Sequence, residues 1–499
     1  MVKLYLIGMD SVPLWMLEEL RKEEGMETFN MLLTKGLITN LESTLPPMSG
    51  PAWPSIYTGL APKDHGVPDF FVMKKNYTPD VILYDSNLVI PFWKIIADNG
   101  KRCLLITPAE EVRIQKWKNI DIITGFPLPA KTNSPKLKRL MEKYNFKGEP
   151  DIEKDIKAGK ISIDEAINYF TQSIKARSNI AKEAIEWNYD FAYVCFTETD
   201  RIQHFLLNQK NWKEKLLLIY REYDKFLSYL IKKADLEGSA IIFLSDHGSQ
   251  PIKNKFLINS WLINKGYLAI KKEIKNNIEN TESNGSIRYN IREKLLKTRL
   301  RRVYDNLPYA FKKIIFNFMS IAFKGMGKGA YTRLHLFDYD MEHSKVFAAI
   351  SNDPVATLWI NDNRFVNGIV LKNEVEQLKS KLTKDLKKIK TPEGNQLIVN
   401  VFDGKKYYGN TNKFLYADLL IEATKGYTID IFNFSKDRFF MSPENAKSGD
   451  HTRQGIFGYY PDRLKIKVKK ISVLDIYNII IAYFGLNKSK KNINNNLTK

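Results

Sequence analysis

The chain has 499 residues, 44% of them hydrophobic and 27% charged, which excludes a mostly disordered or fibrous protein. That length leaves room for three domain-sized units, or for one large domain with insertions. Lysine and arginine number 77 against 56 acidic residues, and the net charge of +21 suggests an anionic partner: a nucleic acid, a membrane surface or a small phosphate ester.

From the first residues the chain reads as a buried strand over Lys3–Ile7, not as an export signal. Pro13–Arg21 and Glu27–Lys35 predict helices, and Cys103–Thr107 predicts a strand. Helical periodicity over Ile161–Trp187 leads into a strand at Phe191–Phe196. A long helix over Asn211–Ala234 leads into another strand at Ser239–Leu244. Strands spaced by helices of this length imply βαβ units and a largely parallel sheet. After Leu268 the pattern changes. Lys271–Gly285 is rich in Lys, Asn and Glu, and Ile291–Gly329 is basic and aromatic. Alternation resumes near Lys345–Ile360, with helices expected over Val375–Lys388 and Val473–Phe484. Asn487–Lys499 lacks apolar anchors and reads as a disordered basic tail. The expected organisation is a catalytic core over 1–270, an inserted basic cap over 271–334, a second part of the core over 335–486, and the tail.

Two cysteines, Cys103 and Cys195, form no CxxC pair, so a thiolate zinc site, a redox motif and a disulfide scaffold are all excluded. No apolar run approaches the roughly 18–20 residues needed to span a bilayer. A soluble, cytoplasmic protein is the expectation.

In open parallel sheets the active residues gather beyond the carboxyl ends of strands. Asp10 follows the first strand and suits a metal ligand or base, or a plain helix cap. Asp200 and His204, spaced i and i+4, share one helix face and can reach one cation. Asp246 and His247 directly follow the apolar run Ala240–Leu244, where a buried Asp is costly unless paired or bound to metal. Asp450-His451 lies in a loop-like stretch, where a solvated histidine is the plainer reading. Three of the six histidines, His204, His247 and His451, thus accompany Asp10, Asp200 and Asp246. Six such ligands suit two divalent cations, zinc first, with manganese or iron also admissible. A paired-metal site is a standard solution for displacement at phosphorus. The hydroxyl-rich stretch Ser43–Gly59 offers a nucleophile. Ser49 precedes Gly50 and Pro51, which permits an unusual exposed turn, and a serine there would be activated by metal contact. A Pro-stiffened loop is the plainer alternative.

The order of these motifs resembles the alkaline phosphatase superfamily, in its type I phosphodiesterase/nucleotide pyrophosphatase branch. The resemblance rests on Pro51-Ala-Trp-Pro-Ser-Ile-Tyr-Thr-Gly-Leu-Ala-Pro-Lys-Asp-His-Gly66 with Pro68-Asp-Phe70. It rests also on Leu244-Ser-Asp-His-Gly248 running to Leu257-Ile-Asn-Ser-Trp-Leu-Ile-Asn-Lys-Gly-Tyr-Leu268. It covers roughly 1–70, 185–270 and 335–485. It implies an α/β three-layer sandwich with a mostly parallel central sheet. It implies Ser49 as nucleophile, one metal held by Asp10, Ser49, Asp246 and His247, and another held by Asp200, His204 and His451. The backbone N–H of Gly50 would stabilise the phosphoryl oxygens, and His65 would be structural. Ser49 stands where many members have Thr, and Ser11 where Gly is frequent. No Asn follows His65-Gly66 at the place nucleotide pyrophosphatases use near the phosphate, which weighs against nucleotide substrates. Ser49-Gly-Pro-Ala-Trp53 lacks the arginine of a sulfatase motif, and the Asn-Ser signature of cofactor-independent phosphoglycerate mutases is absent.

The expected activity is hydrolysis of a small phosphate ester, at a phosphodiester or pyrophosphate bond. A phosphomonoesterase or phosphoryl transferase of the same superfamily is the alternative, as is a non-catalytic binder of nucleic acid or anionic membrane. A binder need not keep all seven site residues, and all seven are present. Residues 271–334 hold 15 basic and 5 acidic side chains, and the tail adds Lys488, Lys490, Lys491 and Lys499. Most of the positive surplus therefore lies outside the recognisable core, and nucleic acid is not expected as the main partner. Residues 291–329 would suit an anionic membrane surface, through Phe311–Lys324, or a cap helix burying its aromatics. Tyr304, Tyr309, Arg299, Arg301 and Arg302 are candidates for gripping an anionic substrate.

Overall fold

The computed structural model describes residues 3–274, 332–333 and 336–486, apart from 112, 115, 126–128, 150–151, 158, 353, 410, 412, 444–446, 463–465 and 467–469. The expected cap, with its aromatic run, its arginines and Tyr304 and Tyr309, lies outside the described residues except for 271–274 and 332–333. So does the tail from Asn487.

The fold is α/β, built on one eight-stranded sheet. Its spatial order is Ile471–Ser472, Ile38–Glu42, Gln454–Tyr460, Ala240–Leu244, Leu4–Met9, Phe191–Phe196, Cys103–Ile106, Ile120–Ile123. Only Gln454–Tyr460 runs antiparallel to its neighbours. The central strands are apolar along their whole length because both faces are covered, as parallel sheets require. The period of two divides them. Tyr5, Ile7 and Met9 enter one core with the helices Leu14–Leu20, Glu27–Thr34, Ile163–Ile185 and Trp212–Glu237. Leu4 and Leu6 enter the other, with Ser49–Thr58, Phe92–Asp98 and Asp475–Tyr483. The result is three layers, helix on sheet on helix.

The helix Ile163–Ile185 begins at a capping box. The Ser162 hydroxyl accepts from the Glu165 N–H while the Glu165 carboxylate accepts from the Ser162 N–H. Beyond residue 345 the alternation builds an antiparallel four-stranded sheet, in the order Val346–Asn352, Val355–Ile360, Leu419–Ala423, Ile398–Asp403. It has its own core around Phe347, Trp359, Phe256 and Trp261. Among the described residues no helix is long and apolar enough to cross a membrane.

Candidate active site

Three neighbouring parallel strands deliver their carboxyl-end residues to one edge of the sheet. Gly8 pairs with Leu244 and Met9 with Phe196, so the strand ends are level. Asp10, Asp246 and His247 therefore emerge side by side, and the helix Glu198–Leu206 starts beside them with Asp200 in its first turn. The last contributor arrives from far along the chain. Gly449–Thr452 is a strand, not the expected loop, paired antiparallel with Gly248–Pro251 so that His451 sits opposite Ser249. Gly449 lets this strand abut the helix, because a Cβ there would lie 2.3 Å from the Gln203 carbonyl oxygen.

Ser49 also differs from its expected setting. It is not in an exposed turn: it opens the ten-residue helix Ser49–Thr58 and is only 8% exposed. Pro51 is tolerated there because first-turn residues need no intrahelical N–H. The helix N-terminus leaves the N–H groups of Ser49 and Gly50 directed outward with the positive end of the macrodipole. Ser49 Oγ lies 3.3 Å from Asp10 Oδ2 and 3.3 Å from His247 Nε2.

The side chains form two groups whose donor atoms lie within 4.8 Å of one another: Asp10, Asp246 and His247, and Asp200, His204 and His451. The groups are adjacent, since the His247 and His451 rings are 4.2 Å apart. In the second group His451 Nε2 lies 3.1 Å from Asp200 Oδ1 and 3.2 Å from His204 Nε2.

Hydrogen bonding behind the rings fixes their tautomers. His247 Nδ1 faces the Gly248 carbonyl at 3.1 Å, and His204 Nδ1 faces the Gly449 carbonyl at 3.0 Å. A carbonyl oxygen only accepts, so each Nδ1 carries a proton and each Nε2 of the neutral ring presents a lone pair. The His247 lone pair then faces Asp10 Oδ1 at 3.5 Å and Asp246 Oδ2 at 3.4 Å. Acceptors facing acceptors repel, and a divalent cation between them removes the conflict. In the first group the protonation equilibria carry the same strain. Burial, and then the Asp246 and Asp200 carboxylates, push Asp10 well above the usual carboxylate range. Burial, and then Asp200, push Asp246 up to about 7. Burial would raise Asp200 as well, but His204 and His451 outweigh it and hold it well below the usual range. The residues present fit a divalent cation in each group, and mixed carboxylate and imidazole donors suit zinc, manganese or iron.

All seven residues expected to hold metal meet at this edge. His65 lies apart from them, bonded to Ser55. Asp450, the neighbour of His451, instead accepts from the Lys447 ammonium at 3.1 Å. Two residues were missed from sequence. Trp53 Nε1 donates to Asp10 Oδ2 at 3.1 Å, and its i, i+4 spacing from Ser49 on one helix face was the available signal. The Thr199 hydroxyl donates to the Asp10 carbonyl at 2.6 Å, a contact with no local pattern.

Residues 4–431 match the family model described as type I phosphodiesterase / nucleotide pyrophosphatase. Phosphonoacetate hydrolase from Sinorhizobium meliloti 1021 in complex with phosphonoformate is similar in structure, with a TM-score of 0.56 and 13% identity over 96% of this chain and 95% of that one. Its complex with phosphonoacetate gives 0.55, with the same identity and coverage. An inactive variant of murine ectonucleotide pyrophosphatase/phosphodiesterase 5 in complex with AMP gives 0.50 and 12% identity over 99% of this chain and 97% of that one. Identities this low show a shared fold. None of the curated proteins matches the chain by sequence.

Proposed function

The chain belongs to the type I phosphodiesterase/nucleotide pyrophosphatase family of phosphoester hydrolases, and on that premise we propose that it cleaves phosphate esters through Ser49 with two divalent cations. Asp10, Asp246 and His247, with Ser49 itself, would hold one cation. Asp200, His204 and His451 would hold the other. When bound, such a pair supplies Lewis acidity at phosphorus and lowers the pKa of the serine hydroxyl.

The chain's own residues do the rest. Ser49 gives up its hydroxyl proton to solvent and its Oγ attacks phosphorus, forming an O–P bond as the ester P–O bond breaks, and the leaving alkoxide takes a proton from solvent. Water then attacks the phosphoryl-serine, releases the phosphoryl product and restores the hydroxyl. The Gly50 N–H, at the helix N-terminus, donates to the phosphoryl oxygens where charge develops. Trp53 holds Asp10, and the Gly248 and Gly449 carbonyls hold the His247 and His204 imidazoles in the metal-binding tautomer.

One observation carries this reading. Six donor atoms converge in two adjacent groups beside one buried serine, with the Nδ1 protons of His247 and His204 committed elsewhere. The test is release of nitrophenol from bis-p-nitrophenyl phosphate and from p-nitrophenyl phosphate, with zinc or manganese added after chelation. Turnover of the diester above the monoester supports a phosphodiesterase. The reverse order assigns a phosphomonoesterase. Inactivity on both, with tight salt-dependent binding to DNA or vesicles, would favour a binder instead.

A further inference from the structure

Behind the second donor group lies a set of buried charges that the chemistry above does not use. Arg177, in the middle of the helix Ile163–Ile185, is wholly buried. Its Nη1 donates to Glu198 Oε2 at 2.8 Å and its Nη2 to Glu149 Oε1 at 3.1 Å. The guanidinium also lies against the rings of Phe146 and Phe196, at 5.4 and 5.3 Å from their centroids. Glu149 Oε2 faces Arg201 Nη1 at 3.6 Å and accepts from the Thr197 hydroxyl. Arg201 Nε donates to Glu153 Oε1 at 3.1 Å.

Stability does not explain such a cluster. Replacing a buried ion pair with neutral groups of similar size is commonly neutral, or stabilising by about 1–4 kcal/mol. Its placement suggests another role. Thr197, Glu198, Thr199, Asp200 and Arg201 form the start of the helix that carries Asp200 and His204. Thr197 is tied to Glu149, Glu198 to Arg177, Thr199 to the Asp10 carbonyl, and Arg201 to Glu149 and Glu153. Asp200 alone in this turn faces His204 and His451.

We propose that the Arg177–Glu198–Glu149 clamp is a positioning device for the second cation group, fixing the first helical turn so that Asp200 meets His204 and His451. The inference rests on the two-cation reading. It makes Arg177 a positioning residue that touches neither substrate nor metal. Partners bonded directly to a metal ligand are typically worth about 10–100-fold in metal affinity, and the clamp acts at one remove, through the turn that carries Asp200.

The test uses the full chain, stripped with chelator and titrated with zinc by calorimetry. Asp246→Asn and Asp200→Asn assign the two affinities to their groups. The informative variant is Arg177→Met combined with Glu198→Gln, which removes the pair without stranding a buried charge and leaves Glu149 to Arg201. The affinity assigned to Asp200, His204 and His451 should fall about 10–100-fold while the other stays unchanged. Unchanged affinities, or an equal loss at both groups, would overturn the inference. Should that variant fail to fold, Arg177→Lys is read the same way, because lysine keeps the charge but lacks the rigid planar fork whose two arms reach Glu198 and Glu149 separately. Failure of the two-cation reading would show separately, as a wild-type chain that takes up no zinc, and would remove the inference with it.

Discussion

Replacing His65 with Asn should reduce the acid sensitivity of the fold by an amount that can be worked out. His65 ends the short helix Pro62–His65 and is buried. Its Nδ1 accepts from the Val67 N–H at 3.2 Å, so the proton of the neutral ring sits on Nε2, facing Ser55 Oγ at 3.0 Å. Burial, reinforced by the Lys413 ammonium, pushes its pKa from 6.5 down to about 3. A group depressed in the folded state contributes stability that is present above its unfolded pKa and lost as pH falls toward the folded value. The slope approaches about 1.4 kcal/mol per pH unit, so the loss between pH 7 and pH 5 is about 2 kcal/mol from this residue alone. Asn does not titrate and retains an acceptor two residues before Val67. Denaturant unfolding of both proteins at the two pH values isolates the effect, because every other titrating group is common to them. The advantage of wild type over the variant should shrink by about 2 kcal/mol on acidification. A gap that stays constant would refute the assignment of a buried neutral His65.

Three other outcomes follow from the structure. Ser11 has φ 61°, in the left-handed region, so Ser11→Gly should stabilise by up to about 1 kcal/mol once the added chain entropy of glycine is subtracted. A loss of that size in denaturant unfolding would show that the long contact from Ser11 Oγ to the Gly248 carbonyl matters more than the backbone. A Cβ on Gly455 would lie 2.3 Å from the Ser245 carbonyl oxygen and 3.1 Å from that of His247. Gly455→Ala should therefore cost about 1–3 kcal/mol and impair zinc uptake at Asp246 and His247, whereas a wild-type melting point and zinc content would contradict this packing. Chelation should abolish activity and lower the melting point. Zinc or manganese restored at about 100 times its dissociation constant should return about 2.7 kcal/mol for each occupied site, and a melting point indifferent to chelator would contradict the cation sites.

Local signals carried much of this architecture. The strand Phe191–Phe196 and the run Ala240–Leu244 are apolar throughout, and their polar successors stand at the sheet edge where ligands gather. Ser49 was harder to place. Prolines at 51 and 54 signal a loop locally, yet the segment folds as a helix packed on the sheet through Trp53, Ile56 and Tyr57. His451 looked like a solvated loop residue because its partner strand, Gly248–Pro251, is about 200 residues away in sequence. The Arg177 clamp joins three separate segments for the same reason, and no spacing rule reaches that far. The antiparallel pairing of Val346–Asn352 with Val355–Ile360, by contrast, is set locally, because the connection between them is too short for a parallel crossover.

The central claim is that Ser49 is the nucleophile of a two-cation phosphoesterase. The most direct measurement compares wild type with Ser49→Ala for turnover of bis-p-nitrophenyl phosphate, with metal analysis of both purified proteins. The account predicts that the variant loses turnover while its metal content stays near two ions per chain, because the six carboxylate and imidazole donors remain. Full activity in Ser49→Ala would contradict it.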